Sequence, residues 1–466
     1  MKMKRVWSYI LIVLILAIVV AAIVACLISR PRALNVILIT MDTTRADRMG
    51  FLGCKRPLTP NIDRFASKAI IFERAHSQVP ITPPSHSTML TGLYPRNHGV
   101  LVTGQRLPDS VTTLAEILKA HGYNTAAVIA SVVMAPEFNI NQGFDIYLYP
   151  ENRFREYRAE EQTDKALEII DRFTEAKQPM FVWVHYYDPH TDYIPPLKRY
   201  WKYFLENPYS ERFDADAYRF REITSLSEEG KRVPLPEEIK LGEDLYDGEI
   251  EYMDSEIGRL LDFVEENGLL KSSIIILTAD HGESFRQDCP FEHSPRVYEE
   301  LIHVPLVMWI PTVKTHRRID AQVELADITP TILDILGIEE KPEMDGVSLV
   351  NLIKGRCSKV KDFIFAETDK AIGQPYGAGH FLTLKDLNYK LVLNMTTQKV
   401  QLFPVRDGIA DDRDESDLCQ KKPDLCSEYT SRLFDFLEER FKNAPKPIKP
   451  ELDRHLIEKI KSLGYL

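Results

Sequence analysis

Thr82-Pro83-Pro84-Ser85-His86-Ser87-Thr88-Met89-Leu90-Thr91-Gly92, with Pro95 and His98-Gly99 close behind, reads as a turn that opens a helix. Pro83, Pro84 and Ser85 fix the turn, and the helix N-terminus it creates favours anionic groups. Thr82, at the head of the turn, is a candidate nucleophile. A threonine hydroxyl attacks poorly at neutral pH unless a base or a metal stabilises its alkoxide. The same residues also suit a threonine N-cap on an ordinary helix. On this segment alone, that plainer reading is preferred.

Working outward, residues 34–41 form a continuous apolar stretch, as expected of a strand buried on both faces of a parallel sheet. Further apolar runs at 125–130, 180–185, 273–279 and 304–310 lie among helical patterns at 61–69, 111–121, 162–176 and 243–266. Strands alternating with helices predict an α/β fold whose mostly parallel central sheet is flanked by helices on both faces. Residues 204–243, polar and charged, read as an insertion over the site. From Asp362 onward, short strands at 363–367, 380–384 and 389–393 predict a small C-terminal antiparallel subdomain. The acidic stretch 411–417 reads as a solvated loop, and 427–442 and 450–463 as closing helices. The predicted division is a membrane anchor and linker (1–33), a catalytic domain (34–360), and a C-terminal subdomain with tail helices (361–466).

Residues able to do chemistry fall just after the apolar strands, where ligands bind in such sheets. Asp42 follows the first strand and is a good ligand for a hard cation, although aspartate is equally favoured as a helix cap. Thr278-Ala279-Asp280-His281-Gly282-Glu283 repeats the arrangement after another strand. Two acidic strand ends at one sheet edge favour a shared divalent cation over either motif alone. His185-Tyr186-Tyr187-Asp188-Pro189-His190 ends a third strand, and the Asp-Pro turn displays His190 as an anion binder or proton donor. His293, ahead of Tyr298-Glu299-Glu300, is a weaker candidate of the same kind.

Composition bounds the rest. The chain has 466 residues, 44% hydrophobic and 27% charged, which is globular and ample for a large core. A net charge of -11 argues against nucleic acid as a partner. Lys2, Lys4 and Arg5 precede an unbroken apolar run over residues 7–28, long enough to span a bilayer as a helix. The run exceeds a cleavable leader and predicts a single-pass anchor with an extracytoplasmic catalytic domain, although Arg30 and Arg32 weaken the orientation signal. Ile23-Val24-Ala25-Cys26 also resembles a relaxed lipoprotein box. Cys54, Cys289, Cys357, Cys419 and Cys426 make no metal-binding pattern; Cys419 and Cys426 either pair or remain thiols.

The Thr82 segment resembles the sulfatase signature C-x-P-S-R-x-x-x-x-T-G, with Thr82 at the cysteine position and His86 at the arginine position. Asp42-x-x-Arg45-x-Asp47, Thr59-Pro60-Asn61-Ile62-Asp63, Tyr246-Asp247-Gly248-Glu249-Ile250, Asp280-His281-Gly282-Glu283, Val304-Pro305-Leu306 and Asp327-Ile328-Thr329-Pro330-Thr331 follow in family order. The resemblance runs from Asn35 to the end and implies the sulfatase group of the alkaline phosphatase superfamily. It implies that Asp42, Asp280 and His281 bind one divalent cation, with Thr82 completing the shell, and that His190 contacts the ester's anionic oxygens. Calcium is the cation implied, while zinc, manganese or magnesium also suit a donor set that contains histidine.

The departures bear on the chemistry. Asp42-Thr43 stands where the family has two aspartates, Thr82 cannot become formylglycine, and no charged group occupies the region of the family's G-K-W-H stretch. The expectation is a membrane-tethered, metal-dependent hydrolase that cleaves sulfate esters or related anionic esters through Thr82. Ser85 and His190 are the substrate contacts, and His86 or His293 protonates the leaving group. The substrate is a sulfated or phosphorylated small molecule, glycan or lipid. The alternatives are a phosphodiester or phosphonate hydrolase, a phospho-head-group transferase, and a catalytically silent binding module.

Overall fold

The apolar run after Leu34 forms β1 (Asn35–Met41), buried at every residue in the middle of an eight-stranded sheet. The computed structural model describes residues 33–150, 155–191, 193–196, 198–206, 222–224, 226–227, 231–293, 295–313, 316–369, 379–448, 450 and 458. The proposed anchor, residues 207–221, 225 and 228–230 of the insertion, and nearly all of the last predicted helix lie outside the described residues. Among the described residues, no helix is long and apolar enough to cross a membrane.

Along the chain the strands are β2 (Ile70–His76), β3 (Asn124–Ile129), β4 (Ile146–Leu148), β5 (Met180–Tyr186) and β6 (Ser273–Ala279). A small hairpin, β7 (Ser284–Arg286) and β8 (Cys289–Glu292), precedes β9 (His303–Trp309) and β10 (Arg317–Glu324). The spatial order is β10-β2-β9-β6-β1-β5-β3-β4. β9 runs antiparallel to both β6 and β2, and every other pairing is parallel. The carboxyl ends of β1, β2, β5 and β6 therefore meet one edge. Because β1, β5 and β6 are buried at every residue, both faces of the sheet are covered.

The covering helices are α1 (Pro60–Ala66), α2 (Thr82–Thr91), α3 (Leu114–Ala120), α4 (Ala159–Ala176), α5 (Pro236–Glu266) and α6 (Ile328–Leu336). α4 and α1 pack on α5, while α2 contacts α3 and α6. All ten residues of α2 are buried despite its hydroxyls. Ser87 and Thr91 donate to the carbonyls of Pro83 and Ser87, and Thr88 bonds His98, so each hydroxyl is satisfied within the packing.

Several elements depart from expectation for identifiable reasons. β2 is apolar only at its start, and its Glu73 and Arg74 coincide with a register shift opposite β9. β10 is an edge strand whose first turns are polar, so it carries no continuous apolar run. α5 begins at Pro236 rather than near 243, which shortens the insertion, and Phe204 lies in a short helix, Lys202–Glu206.

The second sheet, β11 (Ile364–Asp369), β12 (His380–Lys385), β13 (Tyr389–Asn394), β14 (Lys399–Arg406) and β15 (Ile409–Ala410), is wholly antiparallel in sequential order. A helix, α7 (Pro423–Phe441), covers it with Tyr429 and Leu433 against Phe365, Leu382, Leu391 and Leu402. Cys419 and Cys426 are disulfide-bonded at the start of this helix.

Ions, not only oil, join the two sheets. Lys385 of β12 is fully buried and donates to Glu299, to His76 of β2 at 2.8 Å and to the Gly408 carbonyl at 2.8 Å. Lys390 of β13 reaches Glu299 at 3.3 Å and Asp412 at 2.8 Å. Asp412, expected in a solvated loop, is thus buried, because it answers Lys390, Arg286 and the Glu299 amide. Burial opposes the Glu299 charge, but Lys385 and Lys390 outweigh it and hold the carboxyl well below its ordinary value. A depressed carboxyl contributes stability above its unfolded value near 4.5 and loses it as pH falls through the folded value. Glu299→Gln removes the carboxylate that answers Lys385 and leaves Lys390 to Asp412, and is expected to lower unfolding free energy by about 3–5 kcal/mol in urea titrations at neutral pH.

Candidate active site

The register that places β1 between β5 and β6 also builds the site. Met41 pairs with Tyr186 on one side and Ala279 on the other, so Asp42 and Asp280 leave adjacent strand ends together. Ligand atoms of Asp42, Asp280 and His281 lie within 4.8 Å of one another, and all three residues are fully buried. Thr82 arrives from β2, across the intervening β9. It is the first residue of α2; Ile81, in extended conformation, is the cap and makes no side-chain capping bond. The threonine is therefore not an N-cap. Its hydroxyl donates toward Asp42 Oδ2 at 3.2 Å and lies 3.3 Å from His281 Nε2.

The donor set has unmet capacity. Asp42 Oδ1 and Asp280 Oδ2 are buried without a hydrogen-bond partner. His281 donates Nδ1–H to the Gly282 carbonyl at 2.9 Å, which leaves a lone pair on Nε2, the nitrogen nearest Thr82. Burial raises both carboxyls above their ordinary values, and Asp42 adds to the effect on Asp280. Two orphaned carboxylate oxygens beside an imidazole lone pair fit a divalent cation, which would satisfy all three.

Histidines fill the surroundings. His190 follows the Asp188-Pro189 turn, stacks on Tyr187 at 4.4 Å and donates Nδ1–H to the Thr191 carbonyl at 3.0 Å. Burial, reinforced by His293, pulls its value down to about 3 despite nearby Asp42. His293, carried in by the β7–β8 hairpin, stacks on His281 at 4.6 Å and meets His190 edge-on at 5.2 Å. Its Nδ1 lies 3.4 Å from Glu283 Oε1. His190, His293, His281 and Thr82 thus form one continuous cluster.

His86 and Ser85 sit behind that cluster. His86 donates Nδ1–H to the Thr82 carbonyl at 2.8 Å, and its Nε2 meets Thr40 Oγ1 at 3.1 Å. Burial and then His185 lower it to about 3, against the pull of Asp280. Ser85 donates to the Asp280 carbonyl at 2.8 Å.

Sequence reasoning passed over three contributors. His185, the penultimate residue of β5, places Nε2 3.1 Å from Asp42 Oδ2 and orients that carboxylate. Its position in the strand was the available signal, since Thr40 pairs with it directly. Tyr246, inside α5, donates to the Thr43 carbonyl at 2.7 Å and accepts from the Arg45 amide at 3.0 Å. Thr43 itself has φ 48°, a left-handed conformation that costs a β-branched residue about 1–3 kcal/mol. Nothing in the sequence marks that strain.

Against this geometry, the sulfatase family model matches residues 34–338. The chain belongs to the sulfatase family. A second model, N-sulphoglucosamine sulphohydrolase C-terminal, matches residues 293–426. This sulfatase-family hydrolase is 26% identical over 403 residues to an arylsulfatase of Clostridium perfringens, covering 72% of this chain and 81% of that protein. It is 22% identical over 432 residues to human iduronate 2-sulfatase, covering 76% and 77% of the respective chains. Among solved structures, a protein in complex with its substrate D-glucosamine-2-N,6-O-disulfate aligns with TM-score 0.71 at 18% identity, covering 88% and 99% of the two chains. The phosphonate monoester hydrolase of Silicibacter pomeroyi aligns with TM-score 0.68 at 20% identity, covering 88% and 96%. At these identities the structural likeness is one of fold.

In this sulfatase-family chain, Gly282 joins a candidate metal ligand to Glu283, and a Cβ there would lie 1.8 Å from the Glu300 carbonyl. The overlap is with backbone and cannot be relieved by a rotamer. Gly282→Ala is expected to destabilise by about 1–3 kcal/mol or more, measured by thermal and urea unfolding.

Proposed function

We propose that the chain hydrolyses sulfate monoesters with Thr82 as its nucleophile, in the position the family gives to formylglycine. The observation that carries this reading is the placement of Thr82 Oγ1 within 3.2 Å of Asp42 and 3.3 Å of His281, with its helix capped by another residue. A divalent cation held by Asp42, Asp280 and His281, beside Thr82, would lower the hydroxyl's pKa and draw charge from the ester oxygens.

The chain's own residues do the rest. Asp42 Oδ2 holds the Thr82 hydroxyl hydrogen and is itself held by His185. His190 is fixed by Tyr187 and has its Nδ1–H committed to the Thr191 carbonyl, so it binds the ester's anionic oxygens through Nε2–H as the imidazolium that a bound anion favours. As Thr82 Oγ bonds to sulfur its proton passes to Asp42 Oδ2, the ester S–O bond breaks, and His293, beside Glu283, delivers a proton to the departing alcohol oxygen. Water then attacks sulfur as the Oγ–S bond breaks; Thr82 Oγ recovers the proton from Asp42, and His293 accepts the proton of the water. His86, which grips the Thr82 carbonyl and Thr40, acts as a positioning residue rather than the proton donor. Ser85 has a similar part through the Asp280 carbonyl.

A second reading, hydrolysis of phosphorus esters, draws on the nucleophile. A plain threonine lacks the hydrate that lets formylglycine expel sulfate, whereas phosphothreonine is an ordinary intermediate. A phosphonate monoester hydrolase stands among the fold neighbours. A panel of aryl sulfate, phosphate diester and phosphonate monoester separates the readings. Aryl sulfate turnover is expected to fall by about three orders of magnitude or more in Thr82→Ala. Turnover of phosphorus esters alone, dependent on Thr82, establishes the second reading instead. Chelation is expected to abolish activity in either case, with recovery on adding back a divalent cation.

We also propose that residues 7–28 anchor the chain in a membrane with the catalytic domain outside the cytoplasm. Fractionation should find the full chain with membranes and a variant lacking residues 1–33 in the soluble fraction.

A further inference from the structure

Arg158 stands outside the proposed reaction, yet its side chain brackets a residue given a part in it. It immediately precedes α4, in extended conformation. Its Nε lies 3.3 Å from Asp188 Oδ1, and its Nη2 donates to the Ile194 carbonyl at 3.1 Å. Asp188 comes two residues before His190, and Ile194 four residues after it. The same Nη2 reaches both carboxylate oxygens of Glu249 on α5, at 3.2 and 3.0 Å. One planar fork therefore ties both flanks of His190 to a long helix.

The surroundings give that fork a demanding place. Asp188 and Glu249 are buried, and burial raises both carboxyls while Arg158 opposes the rise. Asp188 Oδ1 also accepts from the Ala159 amide at 3.2 Å, so the acid sits at the opening of α4, where negative charge is favoured. The ring of Tyr252 lies 5.4 Å from the guanidinium, and its hydroxyl accepts from the Glu160 amide at 3.2 Å. Against α5 there is no slack. A Cβ on Gly248 would lie 2.0 Å from the Tyr200 carbonyl and 3.0 Å from Pro195. The stretch after His190 is thus laid directly on the helix that carries Glu249.

We propose that Arg158 is a positioning residue: by bonding Asp188 and Ile194 with one fork, it holds the turn that presents His190 to the ester's anionic oxygens. The inference rests on the anion-binding part given to His190 in the proposed function. The other restraints on that ring, Tyr187 and the Thr191 carbonyl, belong to the same turn and move with it. Arg158 anchors the turn to α5 instead. Such an anchor matters because a displacement of about 1 Å at a reacting group costs on the order of a hundredfold in rate.

The test is a double-mutant cycle on the full chain, read as kcat/KM for an aryl sulfate. Arg158→Met removes both charge and fork. Arg158→Lys keeps the charge beside the two acids without the planar fork, and it decides the matter if the methionine variant does not fold. Each is expected to lower kcat/KM by about tenfold or more. In a His190→Ala background the same substitutions are expected to change it by less than about twofold, because no ring is left to place. Full, additive losses in that background overturn the assignment, as does parent-like turnover in the single variants. If the parent cleaves only phosphorus esters, the sulfate reading falls and the cycle is run on the ester that is cleaved. If it cleaves none, the proposed function falls, and NMR of isotope-labelled histidine rings decides. The His190 signal, identified by its loss in His190→Ala, shifts in Arg158→Lys if Arg158 holds the turn; an unmoved signal overturns the assignment.

Discussion

Asp42 and Asp280 end neighbouring strands, are wholly removed from water, and raise the cost of ionising one another. Two such carboxylates are tolerable only if something positive, or several hydrogen bonds, answers them. The protein supplies part of that answer. His185 and Thr82 hold one oxygen of Asp42, and the amides of Thr43 and His281 hold one oxygen of Asp280. The other two oxygens stay unmet, and the rest of the site is arranged around them. The strained turn at Thr43 and the close approach at Gly282 both follow from folding the chain tightly enough to bring these groups together.

The fold was legible wherever burial on both faces wrote an uninterrupted apolar run, as in β1, β5 and β6. It was illegible where one face meets solvent or a partner sheet. β2 reads as a strand for three residues before Glu73 and Arg74 break the pattern, and edge strand β10 carries charges through its first half. Asp412 looked solvated because its sequence neighbours are acidic, while its partners, Lys390 and Arg286, lie far away in the chain.

The same division holds within the site. Asp42, Asp280, His281 and His190 could be picked out because each stands at a strand end or follows a turn beside one. His185 was hidden by lying inside its strand, and Tyr246 by lying inside a long amphipathic helix. Thr82 looked like a cap because a cap and a helix's first residue share composition. Only the extended conformation of Ile81 separates the two.

The ionic seam between the sheets constrains how such a molecule can be taken apart. Glu299 belongs to the segment leading into β9, yet its partners Lys385 and Lys390 belong to the second sheet. A cut near residue 360 would part Glu299 from both lysines, leaving Lys385 without its carboxylate while Lys390 keeps Asp412. The second sheet is therefore not an interchangeable module. To be transplanted onto another scaffold or exchanged by recombination, it would have to travel with the stretch that carries Glu299, and the host would need a residue to stand for His76.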